Sequence, residues 1–126
     1  MILLKNLFKN KKVVITGHTG FKGAWLCSWL LDLGAEVIGI ALDPITKPSH
    51  FSAANLSGCI KDLRIDIRDN GALKKSFVDA QPDFVFHLAA QALVRPSYDN
   101  PIKTWETNVI GTLNVLEALR VINKPC

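Results

Sequence analysis

The chain is predicted to fold as an open α/β sheet with parallel strands, and three features of the sequence carry that prediction. Short apolar runs alternate with longer segments of helical periodicity from about residue 12 onward, the pattern of strand–helix–strand units joined by right-handed crossovers. Runs such as "FVFHLAA", Phe84 to Ala90, are apolar without alternation, as expected of strands covered on both faces. Three glycines, Gly17, Gly20 and Gly23, fall between the first strand and its helix in "ITGHTGFKG". The implied arrangement is a Rossmann-type doubly wound half-domain with strand order 3-2-1-4.

Each element follows from its residues. Residues 1–11 read as an N-terminal leader, in which Leu3, Leu4, Leu7 and Phe8 share a helical face that would dock on the domain. The domain itself occupies residues 12–126. Lys12 to Thr16 is a buried strand. Phe21 to Leu33 is a helix whose core stripe is Trp25, Trp29 and Leu33, with Leu26 and Leu30, and Gly34 stops it. Glu36 to Ala41 is the second strand. Asp43 to Gly58, with its prolines, serines and asparagines, reads as a long loop with one helical turn near Phe51 to Asn55. Leu63 to Asp66 is a short third strand. Asp69 or Asn70 caps a helix through Ala80, and "QPD" turns the chain into a fourth strand, Phe84 to Leu88. Asn100 as cap and Pro101 as first helical residue open a long helix to about Asn123. That helix ought to feed another strand, so the domain reads as truncated, with its later strands missing.

Composition narrows the possible functions. With 126 residues, 48% of them hydrophobic and 21% charged, the chain suits one ordinary globular domain rather than a disordered one. Its longest uncharged apolar run, "AWLCSWLL", is far short of the ~20 residues of a membrane span. "MILLKNLFKNKK" runs from apolar to basic, the reverse of a secretory signal. The net charge of +4 is not gathered into a nucleic-acid footprint, since four of the fifteen basic residues lie in Lys5 to Lys12 and the others are scattered. Cys27, Cys59 and Cys126 are odd in number and form no CxxC pair, which suggests a reduced cytoplasmic protein with no metal site.

The glycine loop is the clearest chemical signal. Gly17 permits a sharp turn out of the strand, Gly20 lets backbone N–H groups approach a pyrophosphate, and Gly23 permits close helix packing. The first helical turn then aims unpaired N–H groups and a positive dipole end at the phosphates. Lys22 adds a like charge there, a conflict that a bound anion would remove. His18 would project its imidazole beside the phosphates and either bond or crowd them. His87, within an apolar strand, reads as a satisfied core histidine.

The spacing Gly-x-x-Gly-x-x-Gly, together with "DIRD" (Asp66 to Asp69), "HLAAQ" (His87 to Gln91) and "TNVIGTLNVLEA" (Thr107 to Ala118), resembles the extended short-chain dehydrogenase/reductase family over nearly the whole chain. "GHTGFKGAWL", "ALD", "AAQALVRPSY" and "PIKTWETNVIGT" are similar to its nucleotide-sugar 4,6-dehydratase branch. The resemblance implies NAD as cofactor and CDP-glucose as substrate; separately, the fourth strand, missing its usual neighbour, would be an open edge that invites strand exchange or a homodimer. The resemblance also implies that the backbone of Thr19, Gly20, Phe21 and Lys22 holds the pyrophosphate in a cofactor site that Gly17 and Gly23 shape, and that Asp66 accepts from the adenine amino group with Ile67 against the ring. Leu88, Ala89, Ala90 and Gln91 would line the path to the nicotinamide ribose, and Asn108 would organise the helix or relay a proton. Bland alternatives stand beside these. Asp69 could be only a cap, Ala89 and Ala90 only small packing residues, and Arg95 either a substrate-phosphate ligand or a surface ion-pair partner.

Two departures matter. The acid that NAD-dependent relatives carry at the end of the second strand is replaced by Ala41, with Asp43 two residues later as ribose ligand or mere turn residue. No arginine or lysine stands at that strand end in the sequence, Lys47 being nearest, which favours NAD over NADP. The related enzymes also use a tyrosine and a lysine four residues apart for proton transfer. Here Tyr98 and Lys103 are five apart with Pro101 between them, so the resemblance implies that this chain lacks the catalytic pair and turnover of its own. An epimerase or reductase of the same family, and a non-catalytic NAD-binding regulatory module, are the alternative readings.

Overall fold

The computed structural model describes residues 2–126. Four parallel strands form one sheet in the order β3-β2-β1-β4, with β1 at Lys12–Thr16, β2 at Glu36–Ala41, β3 at Lys61–Arg64 and β4 at Phe84–His87. That is the order expected of the sequence, and β1 and β2 have the expected limits. The helices are α1 (Ile2–Phe8), α2 (Phe21–Asp32), α3 (His50–Ala53), α4 (Asn70–Ala80), α5 (Val94–Asp99), α6 (Pro101–Trp105) and α7 (Gly111–Arg120). A 3-10 turn follows α3 at Leu56–Gly58, and a π-helical segment, Glu106–Ile110, joins α6 to α7.

Alternation along β1 splits the core into two layers. Val13 and Ile15 pack with Phe8, Ala24, Cys27, Leu30 and Phe51 on one face. Val14 packs with Ile38, Ile40, Leu73, Phe77, Val115 and Ala118 on the other. The sheet is therefore covered by α2 on one side and by α4 and α7 on the other, as a doubly wound fold requires.

Several elements differ from expectation. The buried stripe of α2 is Gly23, Ala24, Cys27 and Leu30, not the tryptophans. Trp25 is 55% exposed and Trp29 is 50% exposed, because small residues let the helix approach the sheet and turn the indoles onto its flank. Trp25 stacks instead on His50, with ring centroids 4.1 Å apart. Strand β3 lies two residues earlier than expected, fixed by the pairs Ile38↔Lys61 and Ala41↔Arg64. Asp66 thus stands beyond the strand in a turn closed by Asp69 N–H donating to the Asp66 carbonyl at 2.9 Å. β4 ends at His87, α5 fills a stretch expected to be loop, and the long final helix is α6, the π segment and α7 in succession. Of the leader face, Phe8 is buried and packs on Phe84, whereas Leu3 is 82% exposed. None of the helices among the described residues is long and apolar enough to cross a membrane.

Candidate functional site

The carboxyl ends of the strands open onto a cleft of about 490 Å³. Its floor is the glycine loop. Gly17 has φ +77°, and a Cβ there would lie 2.7 Å from the Ala89 nitrogen and 2.8 Å from the Leu88 carbonyl carbon. The loop after β4 can approach the loop after β1 only because Gly17 lacks a side chain. A Cβ on Gly23 would overlap the Gly17 carbonyl oxygen and come within 2.7 Å of His18 Cα. This third glycine therefore makes room for the loop itself more than for the sheet. Gly20 is the N-cap of α2, and no side chain caps the helix. The first-turn amides are left for an acceptor outside the chain, as phosphate binding requires.

Ten of the thirteen residues expected to bind cofactor line this cleft: Gly17, Thr19, Gly20, Phe21, Asp43, Asp66, Ile67, Leu88, Ala89 and Ala90. Lys22, Gly23 and Gln91 do not. Lys22 is exposed at the start of α2, Gly23 is buried behind the loop, and Gln91 is tied to the π segment. The Gln91 amide donates to Asn108 Oδ1 at 2.8 Å, and Asn108 Nδ2 donates back to the Gln91 carbonyl at 3.0 Å. Asn108 thus clamps the loop that carries Leu88 to Ala90. Arg95 lies exposed on α5, outside the cleft, and has no carboxylate within ion-pair distance among the described residues.

On the cleft wall, Arg68 grips Asp66 through Nε at 3.0 Å and Nη2 at 2.7 Å. Those hydrogen bonds hold the Asp66 carboxyl below the ordinary carboxylate range, against a smaller opposing effect of burial. Ile67 is buried against α7, where Asn114 Nδ2 donates to the Ile67 carbonyl at 3.0 Å and the Arg68 carbonyl at 3.3 Å. Asp69 caps α4, accepting from the Ala72 amide at 3.0 Å.

Buried His18 and half-buried His87 part company. His87 Nδ1 lies 2.7 Å from Thr16 Oγ1 and Nε2 lies 2.9 Å from Thr112 Oγ1. Thr112 donates its own proton to the Asn108 carbonyl at 2.7 Å, so it accepts from His87 Nε2–H, and Thr16 donates to Nδ1. Thr16 Oγ1 in turn accepts from the amides of Leu88 and Ala89 at 3.1 and 3.2 Å. The result is a neutral, fully bonded imidazole, and burial holds its pKa below 6.5. His18 corrects its expectation. It does not project beside the phosphates. Its ring is fully buried over Gly39, edge-on to Phe51 at 5.2 Å, and Nε2–H donates to Asp62 Oδ1 at 2.8 Å. Gly39 leaves the hole that receives it, and Asp62 supplies the partner.

The end of β2 also differs from what the sequence indicates. The register Ala41↔Arg64 brings a guanidinium there from β3, with Nη1 donating to the Leu42 carbonyl at 3.0 Å. Thr19 Oγ1 donates to the same carbonyl at 2.9 Å. Further cleft residues that sequence reasoning missed are Ile45, Ser49, His50, Lys103 and Thr107. They come from the long loop and from α6 and the π segment, where no local pattern marks a cleft-facing residue. Tyr98 and Lys103 stand on different helices, and only Lys103 reaches the cleft.

Comparisons with known proteins agree with this fold. The family model described as GDP-mannose 4,6 dehydratase matches residues 14–126. CDP-glucose 4,6-dehydratase of Salmonella typhimurium is 48% identical over 118 residues, covering 94% of this chain and 33% of that protein. GDP-mannose 4,6-dehydratase of Vibrio cholerae is 36% identical over 124 residues, covering 90% of this chain and 32% of its own. The crystal structure of Thermus thermophilus UDP-glucose 4-epimerase in complex with NAD superposes with a TM-score of 0.76 at 34% identity, covering 86% of this chain and 33% of that one. The chain thus spans about a third of the length of the relatives it matches.

Proposed function

The chain belongs to the GDP-mannose 4,6-dehydratase family, and from that premise we propose that it is the NAD-binding part of a nucleotide-sugar 4,6-dehydratase acting on CDP-glucose. The observation that carries the proposal is the glycine cradle: side chains at Gly17 and Gly23 would fill the space against the Leu88–Ala89 backbone and the loop itself. The residues present suit a dinucleotide. Uncapped amides at the start of α2 would take the pyrophosphate, Asp43 the ribose hydroxyls, and Asp66 with Ile67 the adenine. Leu88, Ala89 and Ala90 would line the path of the nicotinamide ribose. NAD, if bound there, would supply a reversible hydride acceptor, the chemistry that a net loss of water from the sugar of a nucleotide sugar needs.

What the chain's own residues contribute is position. Arg68 fixes the Asp66 carboxylate through Nε and Nη2, so that it stands as an oriented acceptor. The Thr16–His87–Thr112 chain holds the Leu88 and Ala89 amides inward, away from any ligand. Asn108 fixes the next residue of that loop, and Arg95 would meet a substrate phosphate. The preference for CDP-glucose rests on the higher identity to the Salmonella enzyme. The domain division at residue 12, a cytoplasmic setting and a homodimer belong to the same proposal, in which sugar turnover is assigned to the full-length protein.

Isothermal titration of the chain with NAD and with ADP-ribose tests the cofactor half. Both should bind, ADP-ribose retaining most of the affinity, and absence of heat with either would sink the reading. For the substrate half, the full-length protein with NAD should remove one water from CDP-glucose by mass. Loss of water from GDP-mannose alone would favour the other dehydratase of the family.

A further inference from the structure

We propose that Arg68 is a positioning residue that couples the two ends of the cleft: an adenine amino group on Asp66 tightens, through Arg68 and Glu106, the loop that lines the nicotinamide-ribose path. The proposal rests on reading the cleft as a dinucleotide site. Arg68 and Asp66 both line the cleft, and Glu106 opens the π segment that joins α6 to α7.

The Asp66 carboxylate has no lone pair to spare. Oδ1 accepts from the Arg68 amide at 2.9 Å and from Nε at 3.1 Å, while Oδ2 accepts from the same Nε at 3.0 Å and from Nη2 at 2.7 Å. A carboxylate offers about four acceptor sites, so a further donor needs one of these contacts to yield. The shared contact is the one that can. Nε carries a single proton spread over both oxygens, and it loses little by committing to one. An amino group arriving from the cleft therefore selects one of two arrangements and turns the guanidinium about its Asp66 edge.

The other edge already faces Glu106. Nη1 lies 3.3 Å from Glu106 Oε2, longer than a good charge-assisted bond, and the Glu106 side chain is 52% exposed. This contact has room to shorten, and what it pulls on is firmly tied. Two residues beyond Glu106 in the same π segment, Asn108 bonds the Gln91 backbone in both directions. Gln91 directly follows Leu88, Ala89 and Ala90 of the cleft wall. The near end is anchored as well, because Asn114 Nδ2 donates to the Ile67 and Arg68 carbonyls. The turn after β3 is thus kept from following the ligand, and the movement is left to the guanidinium. Glu106 and Asn108 stand outside the cleft wall, so each can be altered without removing a cleft-lining side chain.

The test is hydrogen exchange at the Gln91 amide of the 126-residue chain, with and without saturating AMP, which carries the adenine but no nicotinamide ribose. AMP should slow that exchange about fivefold. Taking the ratio within each variant removes any uniform loosening of the loop. Glu106→Ala should abolish the slowing while AMP still binds, and Glu106→Asp should keep part of it. Coupling is reciprocal, so Asn108→Ala should weaken AMP binding by a similar factor, and that weakening should vanish in the Glu106→Ala background. Slowing that survives Glu106→Ala, or no slowing in the unaltered chain with AMP bound, overturns the proposal and leaves the dinucleotide site standing. If AMP does not bind at all, the cofactor reading fails and the proposal with it.

Discussion

Two imidazoles sit inside this domain and neither faces the cleft, yet both couple its stability to pH. Burial holds His87 below 6.5 with nothing opposing it. For His18 burial outweighs the raising effect of Asp62. A histidine whose folded pKa lies below its unfolded value contributes stability that is present above the unfolded value and lost as pH falls through the folded one, since the unfolded chain takes up the proton. The melting temperature should therefore fall as pH drops from 8 toward 5. A His87→Gln chain should show a shallower fall, and a flat profile would contradict both assignments. Asp66, held low by Arg68, and Asp83, held low by Lys124, add a separate loss below their ordinary 3.8. His87 was readable in the sequence because an apolar strand leaves an imidazole little but internal partners. His18 was not, because its ring turns into a space that Gly39 vacates and toward an acid 44 residues away.

Among the elements, the π segment does most to shape the loop after β4. Asn108 bonds the Gln91 backbone in both directions, and Asn114, one helix onward, holds the loop after β3 in a similar way. Asn108→Ala should speed hydrogen exchange at the Gln91 amide by about tenfold or more, since the lost bond costs ~1–3 kcal/mol. Exchange there that is unchanged would show that the clamp is not needed to hold the loop. Strands β1 and β2 could be read to the residue from their β-branched runs. Strand β3 could not, because its limits depend on pairing with β2 rather than on its own composition. The stripe of α2 misled for a related reason: tryptophans dominate any hydrophobicity count, while closeness to the sheet is decided by Gly23, Ala24 and Cys27. A π segment leaves no compositional mark, since i→i+5 bonding uses the same residues as a helix. The cleft residues contributed by the glycine loop and the strand ends were legible, whereas those from the long loop and α6 depend on how the chain returns.

At the scale of the molecule, the sheet ends at β4, which pairs with β1 on one side and with no strand on the other among the described residues. Nearby helices expose Ile102 at 72%, Trp105 at 67%, Leu113 at 51% and Leu116 at 55%. Together an unpaired edge and apolar helix faces favour self-association. Sedimentation velocity should show an average mass that rises with concentration, and Trp105→Lys should lower it; a monomer throughout the series would count against the homodimer. The strand order also has a history in time. β1 lies in the middle of the sheet, but its second neighbour lies far along the chain, with Thr16 and His87 bonded across 71 residues. During synthesis β1 can pair with β2 as soon as residue 41 has emerged, while its other edge waits for residues 84–87. This strand, fully buried from Val13 to Thr16 in the finished domain, is thus half-clad for more than forty residues of translation, an interval in which a second nascent chain could supply the missing edge.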